Sequence, residues 1–313
     1  MKDIRVNIIL LNYNGRDLLE KYLPSFEKAA AKSRHRCRLS VVDNESRDES
    51  LRFLRERFPS VEAYEAPKNR VLCSYNEYVG AIEDEIVILM NNDIAVDEGF
   101  VDPLVEPFLK DLNVFFVTPR CLSQKTGDYE GNKTRGYVRY GIYWSSSVYP
   151  GYEKEIDRPG PTLQGGFGAF DRKKLVELRG YDDLYLPGRL EDADLCFRAY
   201  KRGWACLYEP ASIVYHEGGV SFHRKFGVKG TLVINARNTF LFMWKNIGDP
   251  RLWLEFFFWL PARLLYSLLS LKPELFLGFM KALPLLGKAL ARRRSSREAG
   301  PARFTDREIF GRV

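Results

Sequence analysis

Three short apolar runs in the first hundred residues each stop on a cluster of amides and acids, and this pattern narrows the choice of fold sharply. Val6–Leu11 runs into Asn12-Tyr13-Asn14-Gly15, Leu39–Val42 into Asp43-Asn44-Glu45-Ser46, and Ile86–Met90 into Asn91-Asn92-Asp93. Short apolar runs bounded by turn formers read as buried strands. A further strand is expected at Val61–Tyr64. Between these runs the spacing turns helical: Asp17–Lys32 through Leu18, Leu19, Tyr22, Leu23 and Phe26, then Asp48–Arg57 with Ser46 or Asp48 as cap, then Tyr75–Ile82. Such alternation predicts an α/β fold, a Rossmann-like and mostly parallel sheet with helices on both faces. Ligands then gather at the carboxyl ends of the strands, where all three polar clusters fall.

Composition removes some function classes. The 313 residues suit one large domain with an appendage, or two modest domains, and 45% hydrophobic with 28% charged residues supports a core rather than disorder. Much of the net +7 charge sits in the tail, where Leu286–Val313 holds eight basic against three acidic residues. That tail favours an anionic lipid surface; the body lacks basic residues interleaved with aromatics, so nucleic acid is not expected as a partner. The five cysteines lack the two-residue spacing of a zinc or redox pair and read as reduced thiols in a cytoplasm. Val6–Leu11 is too short for a secretory signal and reads as the first strand.

Further along, Cys121–Pro161 is rich in Gly, Tyr and Ser and reads as a loop-rich insertion. Order returns with Gly165-Gly166-Phe167-Gly168-Ala169-Phe170, a helix at Lys173–Arg179, a helix at Glu191–Arg202 closed by Gly203, and a strand Ser212–Tyr215 that leads to His216. Leu252–Leu271 and Leu275–Leu290 are apolar but are interrupted by Glu255, Pro261, Arg263, Lys281, Pro284 and Lys288. A spanning helix needs about 20 nearly uncharged residues, so amphipathic helices lying among lipid headgroups fit better. The alternative is a pair of core or homodimer helices.

Four sets of residues carry chemistry. Asp93, delivered to the end of a buried strand, suits a divalent cation such as Mg²⁺ or Mn²⁺ that shares carboxylates with substrate phosphates; an ordinary turn is the plainer reading. Glu191, Asp192 and Asp194 open a helix, where the macrodipole alone favours acids; on the functional reading one carboxylate takes a proton from a hydroxyl. His216 is structural or, beside a metal-binding aspartate, a further ligand. Asp43 is a turn former or an acceptor for the N3–H of a uracil or thymine ring.

Taken in order, these pieces resemble glycosyltransferase family 2, of GT-A fold, and within it the rhamnosyltransferase-like bacterial members. The likeness runs through Ile8–Gly15, Val41–Ser50, Leu89–Asp93, Gly165–Phe170, Gly180-Tyr181-Asp182 and Glu191–Arg198 to His216. It covers roughly the first 240 residues and implies a catalytic domain over 1–237, while the change of character from Asn238 onward marks 238–313 as a helical membrane-association region. It implies that Asp43 holds the base, Asp93 the metal, Asp192 the catalytic proton with Glu191 beside it, and that His216 is a second metal or diphosphate contact. Donor contacts are expected from Asn12, Asn14, Asn69, Asn76 and Asn92 as well, and acceptor contacts from Gly165, Gly166 and Phe167. Tyr143, Trp144 and Tyr149 would stack on sugar rings or simply pack. Two departures stand out. Asn91 replaces the first acid of the Asp-x-Asp motif, and Asn69-Arg70-Val71-Leu72 lacks the glycine of the family's Asn-x-Gly-Phe segment.

The implied activity is inverting transfer from a nucleoside-diphosphate sugar, dTDP-rhamnose or a UDP-sugar, to a glycan or lipid-linked acceptor. The expected setting is bacterial surface-polysaccharide synthesis at the inner face of the cell membrane. A sugar-nucleotide nucleotidyltransferase would want a Gly-rich, Arg-containing loop after the first strand, which Asn12–Arg16 poorly supplies. A non-catalytic membrane-bound relative is the remaining alternative, against which the full set Asp43, Asp93, Asp192 and His216 argues.

Overall fold

The computed structural model describes residues 4–217, 220–298 and 300–313, the side chains of 220–224 excepted. The chain runs β1 (Arg5–Asn12), α1 (Arg16–Lys32), β2 (Arg36–Asp43), α2 (Ser50–Arg57), β3 (Glu62–Glu65), α3 (Tyr75–Ala81), β4 (Ile86–Asn91), β5 (Ile94–Val96), α4 (Val101–Lys110), β6 (Val114–Ser123) and β7 (Tyr129–Gly131). Then come β8 (Arg135–Arg139), β9 (Ile142–Ser146), β10 (Gly160–Pro161), β11 (Gly168–Asp171), α5 (Arg172–Glu177), α6 (Glu191–Lys201) and β12 (Ala205–His216). Five helices follow: α7 (Val220–Asn246), α8 (Pro250–Leu269), α9 (Glu274–Ala282), α10 (Leu286–Glu298) and α11 (Asp306–Arg312). Two compact units result, the first from Met1–Thr134, Ser147–Tyr181 and Trp204–Gly218, the second from the rest.

The first unit is built on a ten-stranded sheet of order β10-β12-β6-β11-β4-β1-β2-β3, with β5 beside β12 and β7 beside β6. The expected parallel core is there: β4, β1, β2 and β3 run in parallel. Strand β11 enters antiparallel between β4 and β6, an addition the alternation pattern does not reveal. Val6, Ile8, Ile9 and Leu10 of β1 and all of Ile86–Met90 are buried, which is why these runs are apolar without alternation. Helix α1 covers them with Leu19, Tyr22, Leu23, Phe26 and Ala29, a stripe at helical spacing. Asn7, Ser40 and Tyr78 form a buried polar chain inside this unit. Ser40 Oγ donates to Asn7 Oδ1 at 2.9 Å, and Tyr78 OH donates to Ser40 Oγ at 2.7 Å.

Local details depart from the sequence expectation at two places. Helix α2 starts after Glu49 and has no side-chain cap; Asp48 instead accepts from the Arg16 and Ser50 amides at 3.1 Å each. The insertion after Cys121 is more ordered than its weak periodicity implies, since it holds β7 and the β8–β9 hairpin.

The second unit gathers that hairpin, α6 and the last five helices. Tyr143 stacks on Phe242 with centroids 4.1 Å apart, and Phe197 meets Phe242 and Phe310 at 5.3 and 5.6 Å. Tyr143 is therefore a packing residue. Helix α7 breaks at Gly227, whose φ of 68° and ψ of 169° suit only a residue without Cβ. Helix α9 lies close against α7: a Cβ on Gly278 would stand 2.5 Å from the Ala236 Cβ. Helix α11 is held by Asp306, which pairs with Lys201 and accepts from the Gly248 and Asp249 amides at 2.6 and 2.7 Å. The C-terminal helices thus supply part of this unit's core. One sequence expectation needs correction: α8, with mean hydropathy 1.3, is long and apolar enough by length and composition to cross a membrane, because only Glu255 and Arg263 interrupt its last eighteen residues.

Candidate functional site

Register places the polar clusters side by side. Asn12 pairs with Asp43 across β1–β2, and Leu11 with Asn91 across β1–β4. One strand-end edge therefore carries Asn12, Asp43 and the Asn92-Asp93 turn. Asn12 is its hinge: its Nδ2 donates to Asp43 Oδ2 at 3.0 Å and to Ser46 Oγ at 3.2 Å, while its Oδ1 accepts from Asn92 Nδ2 at 2.7 Å. Asp43 Oδ1 accepts the Ser46 amide at 2.8 Å, and Ser46 Oγ accepts the Asn14 amide at 2.8 Å. Asn14, at φ 48°, accepts the Arg47 amide at 2.7 Å. Ser46 is thus a connector of loops, not a helix cap. Each Asp43 oxygen keeps a second lone pair beyond these bonds. Gly15 is required by space, since a Cβ there would lie 2.2 Å from Asn92 Nδ2 and 2.6 Å from Asn12 Oδ1.

The segment after β3 is pinned to the same loops. Asn69 donates its amide to Glu45 Oε2 at 3.1 Å and accepts the Val71 amide at 3.1 Å. Val71 has φ 52°, a left-handed conformation costly for a β-branched residue. The backbone here keeps a shape that glycine would adopt freely, although the glycine itself is gone. Asn76 does not join the network: its side chain brackets the Tyr181 backbone, accepting from N at 2.9 Å and donating to O at 2.8 Å.

Asp93 reaches His216 because β5, which follows it directly, pairs antiparallel with the end of β12, Ile94 against His216. His216 Nε2 lies 3.5 Å from Asp93 Oδ2, and its Nδ1 lies 3.0 Å from Glu130 Oε2. The bond to Asp93 is the main cause that raises the imidazole pKa above its usual value, against the opposing effect of burial; Glu130 adds to the rise. Asp93 Oδ1 is buried and has no hydrogen-bond partner, an acceptor a cation would satisfy. Ligand atoms of Cys121, Glu130 and His216 lie within 4.8 Å of one another. Burial, followed by the charges of Glu130 and Asp93, pushes the Cys121 thiol up to about 12. A protonated thiol is a poor ligand for a hard cation, whereas the oxygens of Asp93 and Glu130 with an imidazole suit Mn²⁺ or Mg²⁺. Sequence reasoning missed Glu130, which sits on a three-residue strand whose pairing with β6 leaves no local signature.

Next to this cluster, the Phe167 ring centroid lies 6.4 Å from that of His216, and Thr118 Oγ1 donates to the Phe167 carbonyl at 2.8 Å. Gly165 fits tightly, since its Cβ would stand 2.8 Å from Thr118 Oγ1, while Gly166 faces open space.

The second unit carries the acids of α6. Glu191 Oε2 is buried with no hydrogen-bond partner, and burial, then the neighbouring Asp192 charge, raises its carboxyl well above the ordinary range. Asp192, half-buried at the first turn, accepts the Ala193 amide at 2.8 Å. Asp194 has a different role. It is fully buried and bonds Tyr185 OH at 2.9 Å, Arg198 Nε at 2.7 Å and Asn246 Nδ2 at 2.8 Å. Lys245 Nζ bridges it to Asp182, 2.7 Å from each carboxylate. Burial raises the Asp194 pKa, but Lys245 and Arg198 outweigh it, and the carboxyl titrates far below its usual range. Trp144 lies in the exposed part of the hairpin under the Arg263 guanidinium, 5.7 Å from its centroid. Tyr149, in the first unit, is buried with its OH on Glu155 Oε2 at 2.9 Å.

The sequence model described as Glycosyl transferase family 2 matches residues 7–179, just over half of the chain. A putative polypeptide N-acetylgalactosaminyltransferase 10 of Drosophila melanogaster is 27% identical over 144 residues, 43% of this chain and 22% of that protein. The chain thus spans about a fifth of that relative's length. Among solved structures, GalNAc-T7 with UDP, GalNAc and Mn²⁺ superimposes with a TM-score of 0.57 at 18% identity, over 75% of this chain and 47% of that one. The mannosyltransferase PcManGT from Pyrobaculum calidifontis, in complex with GDP-Man and Mn²⁺, gives 0.55 at 17% identity, over 96% of this chain and 86% of that one. Both likenesses speak to the fold, which is the GT-A fold.

Proposed function

The chain belongs to glycosyl transferase family 2, and from that premise we propose that it moves a sugar from a nucleoside diphosphate to an acceptor hydroxyl with inversion. The observation that carries this reading is the Asp93 carboxylate, set at a strand end with one oxygen buried and unpaired, beside His216 and Glu130. Asp93, His216 and Glu130 would hold a divalent cation, which when bound supplies charge to neutralise the departing diphosphate. GalNAc-T7, solved with UDP and Mn²⁺, and PcManGT, solved with GDP-Man and Mn²⁺, support that choice of ion and donor class.

The protein's own groups do the rest. The amide lattice Asn12–Asn92–Asp43–Ser46 gives the nucleoside end a floor whose bonds are already made, so little reorganisation accompanies binding. Asp43 offers its remaining lone pairs to the N3–H of a uracil or thymine. Asp192 takes the proton of the acceptor hydroxyl as its oxygen attacks the anomeric carbon from the face opposite the diphosphate. Glu191, whose carboxyl is pushed up by burial and by the adjacent Asp192 charge, favours its protonated form, and the proton-accepting role is given to Asp192. The acceptor is read as a hydroxyl of a glycan or lipid-linked glycan, met by Gly165, Gly166 and Phe167.

A panel of UDP-, dTDP- and GDP-sugars, assayed for nucleoside diphosphate release with Mn²⁺ and with excess EDTA, tests the reading. Release from one donor class, abolished by EDTA and by Asp93→Ala, is the expected result. Turnover that persists in EDTA would sink the metal assignment, and formation of a sugar nucleotide from nucleoside triphosphate would replace transfer by nucleotidyl chemistry.

A further inference from the structure

The outer face of α8 is more apolar than its inner one. Leu254, Phe258 and Leu269 are 71%, 74% and 74% exposed, and Phe257, Leu265 and Leu268, with the exposed Pro261 and Ala262 between, complete a stripe that recurs every three or four residues. The facing side of the helix is occupied along its length. Leu252, Phe256 and Ser267 are buried, Glu255 Oε1 accepts the Gly141 amide at 2.9 Å, and Arg263 lies over Trp144. Both ends are tied: Asp249 caps the first turn at 2.7 Å from the Arg251 amide, and Ser267 Oγ donates to the Lys272 carbonyl at 2.7 Å. A helix fixed in this way is held with one side against its own unit, although its length and composition would suit a membrane span. Its apolar stripe faces outward and stays there.

We propose that this face is seated flat in the headgroup region of an anionic lipid bilayer. Charge says which surface covers it. From Pro250 to Leu285 the exposed charged side chains are Arg251, Lys272 and Lys281, all basic, while the acids Glu255 and Glu274 are half-buried. An isologous contact with a second copy would set this basic patch against itself, whereas anionic headgroups complement it. Composition agrees: Trp259, Tyr266 and Tyr140 stand exposed on this unit, the residue types that settle where hydrocarbon meets water. Beyond α8, Leu271, 89% exposed, and Leu277, Met280 and Leu283 are exposed as well, apolar exposure of the kind that marks an interaction site.

Flotation of the full chain with phosphatidylcholine vesicles, with and without phosphatidylglycerol, tests this. The chain should float with the anionic vesicles, be partly released by salt and be fully released by alkaline carbonate. Phe258→Glu with Leu265→Glu should lower the partition coefficient by about a hundredfold, roughly tenfold per apolar side chain kept in water. Both sites are exposed, so the melting curve should not move. Lys272→Gln with Lys281→Gln should weaken binding to anionic vesicles only, by about fivefold for each positive charge lost. Three outcomes would overturn the proposal. One is no flotation, or flotation indifferent to both double variants. Another is retention through the carbonate wash, which means a spanning helix. The last is a lipid-free dimer that Phe258→Glu dissolves, which assigns the face to a second copy.

Discussion

Replacement of Lys245 by Met should unfold the second unit far more readily than its modest place in the sequence suggests. The ammonium is 2% exposed and sits 2.7 Å from Asp182 and 2.7 Å from the fully buried Asp194. Removal of one partner of a buried ion pair costs about 3–5 kcal/mol, because the remaining charge is stranded away from water. Here the lower end applies. Arg198 still neutralises Asp194 at 2.7 Å, and Asp182 can regain water. Met fills the same stem volume, so no large cavity adds to the loss. The expected change is about 3 kcal/mol, read by urea denaturation followed through near-ultraviolet circular dichroism. Its pH dependence has a definite sign. Asp194 titrates below its usual value in the folded chain, so the stability it contributes is present above the unfolded carboxylate pKa of about 4 and fades as pH falls below it. The gap between wild type and variant should hold steady from neutral to weakly acidic pH and narrow only under about pH 4. A destabilisation under about 1 kcal/mol, the value of an exposed pair, would refute the reasoning.

Three further outcomes are expected. Asp192→Asn should lower turnover by roughly 10²–10⁴ while nucleoside diphosphate affinity, read by calorimetry, is kept; Glu191→Gln should be mild and should gain stability over wild type as pH rises, because folding favours the protonated form of a carboxyl whose pKa is raised. A crippling Glu191→Gln with a mild Asp192→Asn would reverse the two roles. Glu130→Ala should weaken Mn²⁺ binding by at least about 10–100-fold, the loss that even a group orienting a ligand causes, since it removes one of the three side chains proposed to hold the ion; unchanged Mn²⁺ affinity would remove Glu130 from the metal site. Gly15→Ala should force apart the Asn12–Asn92 pair at a cost of about 1–3 kcal/mol and raise the donor KM, and a normal KM would mean that the lattice does not bear on the donor.

Legibility in the sequence followed locality. Strands β1, β2 and β4 are readable because both their faces are buried, so apolar character runs unbroken until the polar strand end, and in-register pairing then delivers Asn12, Asp43 and Asn92 together. The Asp93–His216 approach was readable only through family resemblance, since it depends on β5 folding back onto a strand more than a hundred residues later. Glu130 was not readable at all, for β7 is three residues long and owes its place to β6. The acids of α6 look alike in a list of residues; what separates Asp194 from Asp192 is Lys245, which in sequence is an ordinary cation near a helix end. Periodicity likewise reports that α8 is apolar without saying which side packs, and its exposed phenylalanines appear only when the opposite face is seen to be occupied.

The pairing of Lys201 with Asp306 links residues 105 positions apart, and that of Asp194 with Lys245 spans 51. On a ribosome that adds about 5–20 residues per second, α6 would emerge and then wait roughly 5–20 s for the last of its anchors. During that interval its buried acid has no low-dielectric interior to enter and its helix has no clamp. The neighbouring Asp192, on the same helix, is therefore fixed late, only after Asp306 has been made. A nascent chain stalled before Asp306 would carry the strands that bring Asn12, Asp43 and Asn92 together but not an anchored α6, so that one strand-end edge is in order before the acids of α6 are held.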